Sequence, residues 1–154
     1  MCLDPDRLGN QIWREGKTLV NLLLNWGPEA QVINGGPKPP QWYWHPACQM
    51  WRYNTASLCN YCLIGFKIIR DRPIHFGGGA GKNYPHHIEW FQDARKKSIS
   101  LLGKQSADKP EWWGTAIHTT HRAALLDRRI NWYSAFGWKE YPMTDYHWPK
   151  VAKR

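Results

Sequence analysis

Apolar residues recur with helical spacing from the start of the chain. At about 100° per residue, Leu8, Ile12, Leu19, Leu22 and Leu23 gather on one arc, and the spacing predicts a helix over 3–24. Asp4 is a favourable N-cap, and Pro5 sits where a first-turn proline is tolerated. Glu15 falls inside the apolar arc. Arg7, Gln11 and Arg14 line its flank, three or four residues apart, and Lys17 lies one step further round. A carboxylate on the apolar side of a helix costs several kcal/mol unless it is paired or put to use. Glu15 is therefore either a salt-bridged structural group at the edge of the arc or a functional acid.

The stretch 25–40, dense in Gly and Pro, breaks the pattern and reads as a loop long enough to wrap the surface or contact a ligand. A second helical pattern opens at His45-Pro46 and runs to about Ile69, with Ala47, Met50, Trp51, Leu58, Tyr61, Cys62 and Ile69 on one side. It must stop ahead of Arg72-Pro73, because the residue before a proline is pushed out of the helical region. A glycine-rich connection follows. A third helix over 85–102 carries Ile88, Phe91, Ile99 and Leu102 inward, and Arg95, Lys96 and Lys97 in its later turns, where cations suit the negative end of the helix dipole. A polar loop over 103–114 leads to a shorter helix over 115–129 and an aromatic tail over 130–149.

No run alternates for long enough to demand a sheet, and no internal repeat is present. The pattern predicts an all-α chain, a compact single-domain helical bundle with long Gly/Pro-rich loops. At 154 residues, one domain is large enough to bury a substantial core.

Charge narrows the partners. Lys and Arg number 21 against 12 Asp and Glu, a formal net charge of +9, which on a domain of this size points to nucleic acid before an anionic membrane or an acidic protein. Eleven Trp and seven Tyr accompany that charge, and rings interleaved with cations suit stacking on bases better than a purely electrostatic lipid patch. The chain begins with a capped helix rather than a signal peptide, and no apolar stretch reaches the roughly 18 residues of a spanning helix. Four cysteines, Cys2, Cys48, Cys59 and Cys62, suggest reduced thiols and a cytoplasmic protein.

Four constellations invite chemical readings. His45-x2-Cys48 and Cys59-x2-Cys62 have zinc-ligand types, but within one continuous helix their ends lie about 20 Å apart, so buried core thiols are expected and no metal. The glycine-rich run from His75 fails as a nucleotide phosphate loop, since that pattern needs Gly where Phe76 stands and Ser or Thr where Asn83 stands; its bare backbone and Lys82 suit a looser approach to phosphate. His118 and His121, three apart on one helix face and followed by Arg122, lack an evident third metal ligand, and they suit a structural pair, a DNA contact or hydrogen bonding in an active site. In the tail, Trp132, Tyr133, Phe136, Trp138 and Tyr141, with Arg128, Arg129 and Lys139 among them, either plug a core or offer stacking surfaces beside phosphate-binding cations.

In their shared order these residues resemble a family. Trp13-Arg14-Glu15, His45, the run 126–129 and Asn131 to Gly137 resemble the pyrimidine-dimer DNA glycosylases of the phage endonuclease V type. A nearer resemblance, to bacterial and phage relatives of that group, rests on Arg7-Leu8-Gly9-x-Gln11, His45-Pro46-x3-Met50-Trp51-Arg52, His118-x2-His121-Arg122 and Tyr146-x-Trp148-Pro149. The region 63–110 carries no such match.

The resemblance implies an endonuclease V-like helical domain that binds duplex DNA as a monomer, exposes a damaged or modified base and cuts it from its sugar without a cofactor. It implies Glu15 as the catalytic carboxylate, Arg14 as its phosphate-side neighbour, and the α-amine of Cys2, once Met1 is removed, as a Schiff-base nucleophile supporting strand cleavage. His118 and His121 would join the catalytic set. Arg7, Gln11, Lys17, His45, Trp51, Arg52, Arg122, Arg128, Arg129, Trp132, Tyr133 and Trp138 would contact DNA. The base removed is left open among ultraviolet dimers, deaminated bases and phage-modified bases, and with it the choice between repair and antiviral defence. A non-catalytic basic DNA-binding module and a histidine-dependent nuclease are the alternatives that the composition also admits.

Overall fold

Helices and tight turns supply all the regular structure among the described residues, and no strand occurs there. The computed structural model describes residues 8–27, 39–71, 84–114, 116–140 and 147–148. Arg7, Cys2, the Asp4-Pro5 cap, most of the 25–40 loop, the glycine-rich run from His75, Tyr141 and the Tyr146 and Pro149 ends of the closing motif lie outside them. The chain divides into two units, one within 3–109 and one within 110–154.

In the first unit, a π-helical segment, Asn10–Glu15, runs directly into α1, Gly16–Trp26. This corrects the expected register of the apolar stripe. A π-turn closes i→i+5 and so holds more residues than an α-turn, and the buried positions become Leu8, Ile12, Gly16, Val20, Leu23 and Leu24. Gly16 takes the inward place that a regular helix would give Glu15, and Glu15 is exposed beside Arg14. α1 ends at Gly27, whose N–H donates to the Leu23 carbonyl at 2.8 Å and whose extended ψ of 169° precedes Pro28.

The second predicted helix is two. A 3₁₀ turn, Gln41–Trp44, leads to the short α2, Pro46–Gln49, capped by His45 Nδ1, which accepts from the Ala47 N–H at 3.2 Å. Irregular turns then carry the chain to α3, Thr55–Asp71. Asn54, a residue type better suited to helix ends than interiors, lies at this break, with its side-chain amide donating to the Asp108 carbonyl at 3.2 Å. α3 buries Thr55, Leu58, Cys59, Cys62, Gly65, Phe66 and Ile69, a stripe with steps of three and four, and stops at Asp71 ahead of Arg72-Pro73 as expected.

α4, Tyr84–Leu102, packs along α3, and both contact α1. Its buried positions are His87, Phe91, Ala94 and Ser98, while Ile88, Ile99 and Leu102 are only half-buried. The innermost stripe is thus rotated from the expected one toward smaller side chains. The N-terminal helix and α3 also approach closely: a Cβ placed on Gly65 would lie 1.9 Å from Ile12 Cδ1, and one on Gly16 would lie 2.6 Å from Cys62 Sγ. Helices this near one another admit only small residues where their backbones meet. Gly103, at a positive φ of 79°, turns the chain out of α4 into a 3₁₀ turn, Lys104–Ala107, that packs on α3 and α4.

The second unit holds α5, Ala116–Arg128, α6, Ile130–Tyr133, and a 3₁₀ turn, Ser134–Phe136. α5 buries Ile117 and the run 123–126. Arg129, non-helical at φ −152° and ψ 64°, separates the two helices, and Gly137 leaves the last turn in the left-handed region at φ 64°. Within the described residues no helix is long and apolar enough to cross a membrane.

Candidate nucleic-acid interface

The residues singled out by sequence fall into three groups. On the π-turn and α1 the exposed pair Arg14 and Glu15 is followed by Lys17, whose ammonium lies 4.3 Å from the ring centroid of Trp13 and 5.2 Å from that of Trp90 on α4. Trp13 itself stacks on His87, with centroids 3.3 Å apart and planes at 23°, and sets its edge against Phe91 at 6.4 Å. The half-buried Gln11 directs Oε1 to a buried position without a hydrogen-bond partner among the described residues. The Trp13 face therefore carries a cation on an aromatic wall, while Glu15, two residues from both Trp13 and Lys17, is exposed on another side of the helix. His87 is 6% exposed, and burial first, then His86 and Lys17, lowers its pKa from the ordinary 6.5.

The second group surrounds α2. His45 is a helix cap, and its ring leans on Trp42 with centroids 5.0 Å apart. Arg52 lies over Tyr53, its guanidinium carbon 5.2 Å from the ring centroid. Burial raises the pKa of Tyr43, and the Arg52 charge pulls it partly back. Trp51, expected at the DNA surface, is instead core, 7% exposed and tilted against Tyr61. Cys48, Cys59 and Cys62 are free and buried, and burial raises the first two thiols to about 12 and the third further. Such thiols stay protonated at neutral pH and behave as small apolar groups. Among the described residues no three of His, Cys, Asp and Glu come together as a metal-binding group.

The third group lies in the second unit. His118 and His121 are half-buried on α5, and the His118 ring meets the edge of Trp113 at 5.1 Å. Arg122 donates through Nε to Glu140 Oε1 at 2.6 Å, and this hydrogen bond, ahead of the cation's field, lowers the Glu140 pKa. Arg122 is thereby tied to a carboxylate. Arg128, Arg129 and Lys139 are exposed. Tyr133, expected to stack on bases, is 1% exposed and instead supports Trp138, whose centroid lies 5.5 Å away at 14°. Trp138 stacks in turn with Phe136 at 5.7 Å, and Phe136 and Trp132 remain 44% and 38% exposed. Backbone contact also reaches the closing motif, where the His147 N–H donates to Thr120 Oγ1 at 3.1 Å.

Sequence reading missed Trp42 and Trp44, the two most exposed large rings among the described residues. The proline brackets around them, Pro39-Pro40 and Pro46, were the available signal, since they fix a short turn between two stops. It also missed the Trp13–His87 stack, which joins residues of two helices far apart in sequence.

No family model, curated protein or solved structure matches the chain.

Proposed function

We propose that this chain is an endonuclease V-like DNA glycosylase that binds duplex DNA and releases a damaged or modified base, acting as a monomer in the cytoplasm. The observation that carries the reading is the exposed Arg14–Glu15 pair at the end of a π-helical turn in a chain of net charge +9. A substrate as large as a duplex reaches only groups presented on a surface, and π-turns in helices frequently mark functional positions. Arg14 holds a phosphate, and the Glu15 carboxylate faces the positive charge that develops on the sugar as the glycosidic bond breaks. The base departs with the bonding electrons. Water, or the α-amine of Cys2 if Met1 is removed, takes its place at the sugar carbon.

Duplexes bearing ultraviolet, deaminated or phage-type modified bases, incubated with wild type and Glu15→Gln, test this directly. The variant is expected to lose on the order of 100-fold or more in base release while binding DNA within a few-fold of wild type. Equal release by both removes Glu15 from the chemistry. Borohydride trapping then separates a Schiff-base lyase from a water-using glycosylase, because only the former yields a stable protein–DNA adduct.

The exposure of Glu15 also favours a second reading, DNA binding without base removal. A carboxylate outside a low-dielectric site stabilises a developing cation less strongly. That reading predicts steeply salt-dependent binding with no abasic product on any of these substrates.

A further inference from the structure

We propose that the Gln41–Trp44 turn is a stacking element for unpaired nucleobases. Its form is unusual for an exposed loop because one of its four residues is anchored in the core. Tyr43 points inward and is 1% exposed, while its neighbours Trp42 and Trp44 are 64% and 58% exposed. In a 3₁₀ turn, at three residues per turn, the rings on either side of an inward residue stand out to its two sides.

The backbone beneath them is fixed. The Tyr43 N–H donates to the Pro40 carbonyl at 2.9 Å, and the His45 N–H donates to the Trp42 carbonyl at 3.2 Å. Gln49 Nε2 donates to the Tyr43 carbonyl at 2.5 Å, and His45 closes the segment by capping α2. Proline at 39, 40 and 46 restricts the same segment further. Two indoles held out on a rigid, short turn present apolar area whose ordering cost has already been met within the fold, a property of recognition surfaces.

Charge selects the partner. The Arg52 charge acts on Tyr43 within the turn, and no Asp or Glu occurs in sequence between Glu29 and Asp71. A stretch free of acids around two exposed rings suits a partner that is both anionic and aromatic. Nucleic acid meets both conditions, and bases stack on tryptophan only where they are unpaired or displaced from the helix. This inference rests on the DNA-binding part of the reading above and does not require base removal.

The test uses the full chain, with Trp42→Ala/Trp44→Ala and the ring-retaining Trp42→Phe/Trp44→Phe, against two labelled duplexes of one sequence. One is fully paired and the other carries a single unpaired 2-aminopurine. The alanine variant is expected to lose on the order of 10- to 100-fold in affinity for the bulged duplex and only a few-fold for the paired one. It should also abolish the quenching of 2-aminopurine that stacking produces. The phenylalanine variant keeps most of both. Unchanged thermal midpoints confirm that both variants fold, as expected for exposed positions.

Equal affinities of wild type and the alanine variant for the bulged duplex overturn the proposal, as does an equal loss on both duplexes. Loss of self-association with unchanged DNA affinity assigns the turn to a second copy of the chain and also overturns it. A wild type that binds neither duplex defeats this proposal and the functional reading together. A wild type that releases bases while the alanine variant binds the bulge normally defeats this one alone.

Discussion

The first unit uses its aromatic rings in two opposite ways. Trp13, His87, Phe66 and Phe91 stack on one another between α1, α3 and α4, with Phe66 and Phe91 centroids 5.7 Å apart. Trp42 and Trp44 stand on a short turn with more than half of each ring in solvent. Residue type does not decide between these fates. Neighbouring small residues do: Gly16 and Gly65 let the helices close until rings fill what remains, whereas the proline-bracketed turn meets α1 and α2 through Tyr43 and leaves the rings on either side of it exposed.

Single truncations should expose that difference most strongly. Phe91 is fully buried, so Phe91→Ala is expected to cost about 3–5 kcal/mol, from lost burial and the cavity left behind. Trp42→Ala removes a larger ring and is expected to change stability by no more than about 0.5 kcal/mol. Urea unfolding of both variants checks the pair. A Trp42→Ala cost that approaches that of Phe91→Ala would show that the turn belongs to the core after all.

How much of this was legible in the sequence follows from the same contrast. The α3 stripe through Leu58, Cys62 and Ile69, and its stop before Pro73, could be read directly, because large apolar residues and a proline are strong local signals. On the inner face of α4, Phe91 was legible and its neighbours were not. Hydrophobicity selects Ile88, Ile99 and Leu102, but Ala94 and Ser98 are the buried positions, because burial depends on where α4 meets α3, which is not a property of α4 alone. Glu15 was misplaced because a π-turn changes the angle per residue, and the flanking Gly9 and Gly16 do not by themselves distinguish a π-turn from an α-turn. Among site residues, Arg14, Arg128 and Arg129 are exposed. Trp51 and Tyr133 are buried, which was not legible because a ring beside cations reads alike whether it packs inward or outward.

The close helix approach gives an intermediate effect. In Gly65→Ala the new Cβ would lie 1.9 Å from Ile12 Cδ1, a clash that must move either the side chain or the helix. Overpacking of this kind costs about 1–3 kcal/mol, while removing a helical glycine returns up to about 1 kcal/mol. A net destabilisation of roughly 1–2 kcal/mol is expected. Ile12→Val deletes the clashing Cδ1 at a cost of its own of about 0.5–1.5 kcal/mol. Because the two changes share one contact, the double variant should lose less than the sum of the singles. Strict additivity in thermal or urea unfolding would show that Ile12 and Gly65 do not meet.

The smallest effect tests the inner cluster through protons rather than volume. His87 is buried against Trp13, its Nδ1 has no hydrogen-bond partner among the described residues, and Lys17 and His86 oppose a further positive charge. Its folded pKa therefore lies below the 6.5 of an ordinary imidazole. The unfolded chain takes up a proton near pH 6.5, while the folded chain does not until the pH is lower. Between those two values the unfolded state binds more protons, so stability falls as the pH is lowered. Above 6.5 the contribution is fully present, and below the folded pKa the loss is complete and stays constant. Replacing the imidazole in His87→Phe keeps a flat ring against Trp13 and removes the titration. Thermal midpoints followed downward from pH 7.5 should then decline less steeply in the variant just below pH 6.5 and run parallel to wild type outside that window. Profiles that remain parallel throughout would mean that His87 accepts its proton in the folded chain as readily as in the unfolded one, and that the inner stack is open to water in the way the outer turn is.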